Sequence, residues 1–213
     1  MKKEIYLVRH GESLANSGLG GSADTGLSPL GHAQAGECAT FLKAVCGPAP
    51  MLVSSPYLRC LTTAETISKA VGSEVHVEPA LQEFFSTAFF KSARHPGLRT
   101  LSEIRMAHPR ADVRYCQEEW WPGRHETTKD LASRMNIFSS RLSTNQFPSP
   151  TVICVAHWAS IEYLIRAFCG NAEIKCVNNA GVSKIVLDGT AGKLEFVNNI
   201  SFLSNATGNT PPY

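Results

Sequence analysis

The sequence predicts an α/β domain, a three-layer arrangement of a mostly parallel central sheet with helices on both faces. Three observations carry this. Apolar runs of strand length recur at residues 5–8, 51–53 and 151–156. Stretches with apolar residues every three or four positions separate them, as amphipathic helices require. Strands alternating with helices fold as parallel sheets, because each crossover returns over a face of the sheet. At 213 residues the chain suffices for one buried core, so a single domain over 1–213 is expected.

Ile5-Tyr6-Leu7-Val8 reads as a buried strand that ends in Arg9-His10-Gly11-Glu12. Residues 13–27, rich in Ser, Gly and Asn, form a loop. Ser28-Pro29 starts a helix, with serine as N-cap and proline at the first helical position. Leu30, Ala33, Cys38, Phe41, Leu42 and Val45 follow at helical spacing until Gly47-Pro48. Met51-Leu52-Val53 is the second strand, and Ser54-Ser55-Pro56 reads as a second cap and helix start. That helix carries Leu58, Leu61, Ala64, Ile67 and Val71 on one face and stops at Gly72. Val75-His76-Val77 alternates as a strand leading into Pro79-Ala80-Leu81-Gln82-Glu83.

From 84 to 126 the periodicity fails. Paired phenylalanines, Trp120-Trp121 and several prolines suggest an irregular insertion over the sheet edge, with one short helix around 101–107. A helix restarts near Thr127 or Thr128, with Leu131, Met135, Phe138 and Leu142 on its buried face. Residues 145–150 turn into the most apolar strand, 151–156, which stops at His157. Ile161, Leu164, Ile165 and Phe168 mark the next helix. Strands at 182–187 and 194–197 about Asp188-Gly189 predict a hairpin, and the last dozen residues a loose tail.

A net charge of +2 is too mild to argue for nucleic acid or an anionic membrane. No apolar run approaches the roughly 20 residues a membrane span needs, and the N-terminal one is too short for a signal peptide. The seven cysteines are odd in number and lack a C-x-x-C pair. Buried free thiols in a reducing compartment are therefore expected, which points to the cytoplasm rather than to disulfides or zinc. The acceptor patterns at Asn199 and Asn205 read as incidental.

Three strand ends hold groups suited to a phosphate. The first offers Arg9 and His10, the second Ser54-Ser55 with Arg59 one turn into its helix, the third His157. Parallel strands place all three ends on one edge, next to helix N-termini that favour anions. A guanidinium fork pairs two phosphate oxygens, and a neutral imidazole can attack phosphorus.

With RHGESLAN (9–16), SPLGHAQA (28–35), SSPYLRCLTTAETI (54–67) and VAHWASIE (155–162), the sequence resembles the histidine phosphatase superfamily, whose fold is phosphoglycerate-mutase-like. EPALQEFFS and AHWASIE look closer to the phosphatase branch with the ubiquitin-associated, SH3-containing phosphatases and ecdysteroid-phosphate phosphatase. The likeness runs over about 4–84 and 128–169. It implies a phosphomonoesterase that forms a phosphohistidine on His10. Arg9, Arg59 and His157 would hold the phosphate oxygens, Asn16 would lie near them, and Glu83 would be the proton donor. Glu12 is the competing acid, with a structural role more usual at that position. His157-Trp158 stands where the family often has His-Gly, so the indole either narrows the substrate site or packs. Phe84, Phe85, Phe89 and Phe90 suit a bulky leaving group or fill the core. His32, His76, His95, His108 and His125 are bystanders, and neither metal nor cofactor is expected. The expected partner is a phosphorylated small molecule or phosphopeptide, with a homodimer left open. Two alternatives stand beside the phosphatase: a bisphosphoglycerate-dependent phosphoglycerate mutase, and an inactive phosphate-binding module.

Overall fold

The computed structural model describes residues 2–19, 23–88, 90–92, 94, 96–114, 116–144, 146–170 and 172–206. Phe89, His95 and the end of the tail, 207–213, lie outside the described residues. In chain order the elements are β1 (Lys2–Arg9), α1 (Pro29–Val45), β2 (Met51–Ser54), α2 (Leu58–Val71) and β3 (Val75–Val77), then a 3-10 turn (Pro79–Leu81). There follow α3 (Leu101–Ala107), β4 (Ala111–Asp112), α4 (Thr128–Ser143), β5 (Thr151–Ala156), α5 (Trp158–Cys169), β6 (Val182–Asp188) and β7 (Ala191–Asn199).

The strands form one seven-stranded sheet in the order β4-β3-β2-β5-β1-β6-β7. The pairs from β4 to β1 are parallel, and β6 and β7 join antiparallel. Because side chains alternate across a strand, β1 feeds two cores. Tyr6 and Val8 pack with Cys38 and Leu42 of α1 and Leu61 and Ile67 of α2. Ile5 and Leu7 pack with Leu131 and Phe138 of α4 and Ile161 and Leu164 of α5. The mostly parallel sheet with helices on both faces is as the patterning predicts.

Three local differences have physical causes. α2 begins at Leu58, not at Pro56, because both serines are otherwise engaged. Ser54 Oγ donates to the Ser55 carbonyl, Ser55 Oγ meets His157, and Asp24 Oδ1 accepts from Leu58 N at 2.7 Å as the distant cap. The two-residue β4, which no apolar run announces, pairs with β3 in the 84–126 segment. That segment also lends Phe85, Phe90, Leu98, Leu101, Ile104, Val113 and Trp120 to the core beneath α1 and α2. Phe85 and Phe90 stack at 4.3 Å and are buried, so they fill the core instead of walling a substrate site.

Candidate active site

The sheet order decides where the chemistry gathers. β5 lies between β1 and β2, and Arg9 is in register with Ala156 and Ser54 with Val155. Arg9-His10, His157 and Ser55 therefore leave three adjacent strands side by side, where the chain diverges to opposite faces. Arg59 enters from the first turn of α2, and Glu83 from the stretch after the 3-10 turn that follows β3.

His10 is almost fully buried. Its Nδ1 lies 2.7 Å from the Gly11 carbonyl oxygen, which can only accept, so the proton sits on Nδ1. Nε2 consequently carries the lone pair, and Arg59 Nε donates to it at 3.2 Å. Burial, reinforced by the charges of Arg59 and Arg9, holds the imidazole well below the ordinary 6.5. The ring is a neutral nucleophile with its tautomer set by the backbone.

His157 is buried with its ring edge-on to His10, centroids 5.2 Å apart. Arg59 Nη2 donates to Nδ1 at 3.2 Å, which leaves Nε2 to donate to Ser55 Oγ at 2.9 Å. Burial first, then Arg59, pushes this imidazole well below 6.5 too, so it is neutral in the anion-free site. Glu83 Oε2 stands 3.4 Å from His157 Nδ1 and 3.9 Å from Arg59 Nη2, the latter too long for a direct hydrogen bond. Its Oε1 accepts from Phe84 N at 3.0 Å. Burial raises the carboxyl above 4.5 against the opposing pull of Arg59. Two buried guanidinium groups beside a carboxyl that resists ionisation make a cluster that favours an anion.

Arg9 donates through Nη1 to the Val177 carbonyl at 2.7 Å, and its guanidinium lies 5.5 Å from the centre of the Trp158 ring. Trp158 is buried, with Nε1 donating to Glu162, so the indole packs under Arg9 at the head of α5. Asn16 is exposed, and its Oδ1 accepts from Ser13 and from Asn179 Nδ2 at 3.2 Å. Glu12 accepts from Ser28 Oγ at 2.7 Å and clamps the loop to α1, the structural role named for it.

The periodicity reading missed the loop before β6. Asn179 Nδ2 donates to the His10 carbonyl at 3.0 Å, and Ala180 N meets both the Arg9 and His10 carbonyls at 3.1 Å. Asn198 braces this loop by accepting from Asn178 N at 2.7 Å. The adjacent asparagines before Gly181 were the available signal, since such residues favour turns that return polar groups to a backbone. Ser55 was visible, both as a cap and as one of the phosphate-suited groups at the second strand end, but not as the partner of His157.

The model of the histidine phosphatase superfamily (branch 1) matches residues 5–200. The chain belongs to the histidine phosphatase superfamily. It is a phosphatase of that superfamily. A glucosyl-3-phosphoglycerate phosphatase of Mycolicibacterium vanbaalenii is 29% identical over 178 residues, covering 79% of this chain and 75% of that protein. The ecdysone phosphate phosphatase of Bombix mori, solved with tungstate, superposes with a TM-score of 0.74 at 16% identity, covering 98% of each chain. A phosphoglycerate mutase of Bacillus anthracis superposes with a TM-score of 0.69 at 21% identity, covering 94% of this chain and 95% of that one. These two structures share the fold. Among the described residues no helix is long and apolar enough to cross a membrane.

Proposed function

We propose that this phosphatase hydrolyses phosphate monoesters through a phosphohistidine on His10, with Glu83 as proton donor. The observation that carries the reading is His10 Nε2: a lone pair fixed by the Gly11 carbonyl, facing Arg59 in a cluster that also holds His157 and Glu83. Nε2 attacks phosphorus while Arg9, Arg59 and His157 take up the non-bridging oxygens. His157 gains a proton as the dianion arrives, because a negative partner raises an imidazole's pKa. Glu83 protonates the departing oxygen, then removes a proton from the water that cleaves the N–P bond. Trp158 supports Arg9 from behind, and Asn16 supports His10 through Asn179.

The substrate is a phosphorylated small molecule or phosphopeptide. The seven free cysteines support a reducing, cytoplasmic setting. Burial raises the thiols of Cys38, Cys60 and Cys154, which makes them poor nucleophiles.

The decisive test is rapid mixing with a labelled aryl phosphate followed by an alkaline quench, which preserves N–P bonds. The wild type should yield a labelled protein and inorganic phosphate, and His10→Ala neither. A mutase would keep the phosphoryl group and pass it to phosphoglycerate, with little phosphate released. A binding module would show no turnover and an affinity little changed by His10→Ala.

A further inference from the structure

The stretch that carries Glu83 has no ladder of its own. It follows a 3-10 turn and belongs to neither strand nor helix. A proton donor must nevertheless be held close to its productive geometry, or the rate falls steeply. Glu83 Oε1 accepts from the next residue's N–H, so its carboxyl follows the local backbone.

That backbone is fastened on both sides of Glu83 by one ion pair. Arg134, in the second turn of α4, donates through Nη1 to the carbonyls of Ala80 (2.6 Å) and Gln82 (3.1 Å). Its Nε and Nη2 meet the two Glu126 oxygens, each at 2.8 Å. Glu126 Oε2 also accepts from Phe85 N at 2.9 Å, and Glu126 N donates to the Phe85 carbonyl at 2.7 Å. The pair is well shielded, with side chains 15% and 7% exposed. Ser160 Oγ adds a third tie, to the Gln82 carbonyl. A fork that grips a carboxylate with one edge and two carbonyls with another nitrogen is work for arginine, not lysine.

The geometry points to Arg134, through its bidentate pair with Glu126, as a positioning residue that aims Glu83 at the leaving oxygen. This rests on the reading of Glu83 as proton donor. Arg134 touches no reacting atom in that scheme and acts only through the 80–85 backbone. In the transfer of phosphate to His10 its loss therefore matters where the leaving oxygen needs a proton and is nearly silent where it does not, whereas the later hydrolysis, with Glu83 as base, is common to every substrate.

The experiment compares kcat/KM, which reports the transfer to His10 and not the shared hydrolysis, for an alkyl phosphate and for 2,4-dinitrophenyl phosphate, whose phenolate departs unprotonated. Arg134→Gln should lower kcat/KM on the alkyl ester by up to about a hundredfold, the scale of a misplaced group, and barely change kcat/KM on the dinitrophenyl ester. Arg134→Lys should recover part of it. In a Glu83→Gln background Arg134→Gln should add no further selective loss. Equal losses on both esters, or a full additional loss in that background, overturn the proposal. Circular dichroism checks folding. If Arg134→Gln does not fold, Glu126→Gln, which keeps shape but weakens the fork, must show the same selectivity or the proposal falls. The two readings part cleanly. If Glu83→Gln is itself unselective between the esters, the proton-donor assignment fails. If it is selective and the clamp variants are not, the clamp alone fails.

Discussion

At the scale of single residues, burial sets two acid–base groups apart. His10 is pushed down from 6.5 and Glu83 up from 4.5, both chiefly by desolvation. Turnover needs His10 neutral and Glu83 protonated. Falling pH therefore costs rate as His10 takes a proton, and rising pH costs rate as Glu83 loses one. The kcat/KM profile for an alkyl phosphate should be bell-shaped with its maximum on the acid side of neutrality. Substrate ionisation, with a pKa of about 6, contributes a limb of its own. The contribution of Glu83 is therefore read as the part of the alkaline limb that Glu83→Gln removes. In that variant the alkyl ester should turn over about 100- to 1,000-fold more slowly, within the span known for general acids. An alkaline limb unaltered by the substitution would count against Glu83. Arg9, His10 and His157 could be read from the chain because each stands where an apolar run stops, and Arg59 because it opens the helix that follows one. Asn179 could not, because its partner, the His10 carbonyl, is a backbone atom of a residue far away in the chain.

At the scale of elements, the RHGE loop owes its position to close backbone contact with α1. A Cβ on Gly31 would collide with the Glu12 carbonyl, and one on Gly11 with the Gly31 carbonyl. The obstructing atoms are backbone, so neither side can yield by a rotamer change. Ser28 N donates to the Glu12 carbonyl at 2.9 Å and Gln34 Oε1 accepts from Glu12 N at 2.9 Å, which closes the joint. Gly31→Ala should thus cost about 3 kcal/mol, measured by urea denaturation, despite alanine's better helix propensity. A stabilised variant would mean that the loop does not rest on α1. Helix boundaries were legible where the cap lies next door, as with Ser28 for α1 and Thr127 for α4. They failed at α2, where the capping carboxylate comes from Asp24, more than thirty positions away.

At the scale of the molecule, the 84–126 segment shares the core beneath α1 and α2. Trp120 packs edge-on to Tyr57, centroids 5.3 Å apart, and Tyr57 in turn meets His157 at 4.8 Å. The indole N–H donates to the Arg99 carbonyl at 2.8 Å, so the one polar atom of Trp120 is paired. We expect Trp120→Ala to cost about 3–5 kcal/mol. Fluorescence and circular dichroism should still report one coincident unfolding transition, as for a single domain. Two separated transitions would make the insertion a unit of its own. Apart from Leu101 and Ile104 on α3, which of its residues join the core was not legible in the sequence, since the others follow no helical or strand period. Phe85 and Phe90 show the consequence: a pair compatible with a substrate wall turns out to stack on itself.

The chain by itself determined the alternation of strands and helices, and with it the four strand-end and helix-start residues that a phosphate would meet. Local rules suffice for this, because apolar period and adjacent caps act over a few residues. Only the tertiary structure decided which nitrogen of His10 carries the proton, what neutralises both imidazoles, and how Glu83 is held. Those depend on a carbonyl's direction, on exclusion of water, and on an arginine some fifty residues downstream, none of which a linear pattern encodes.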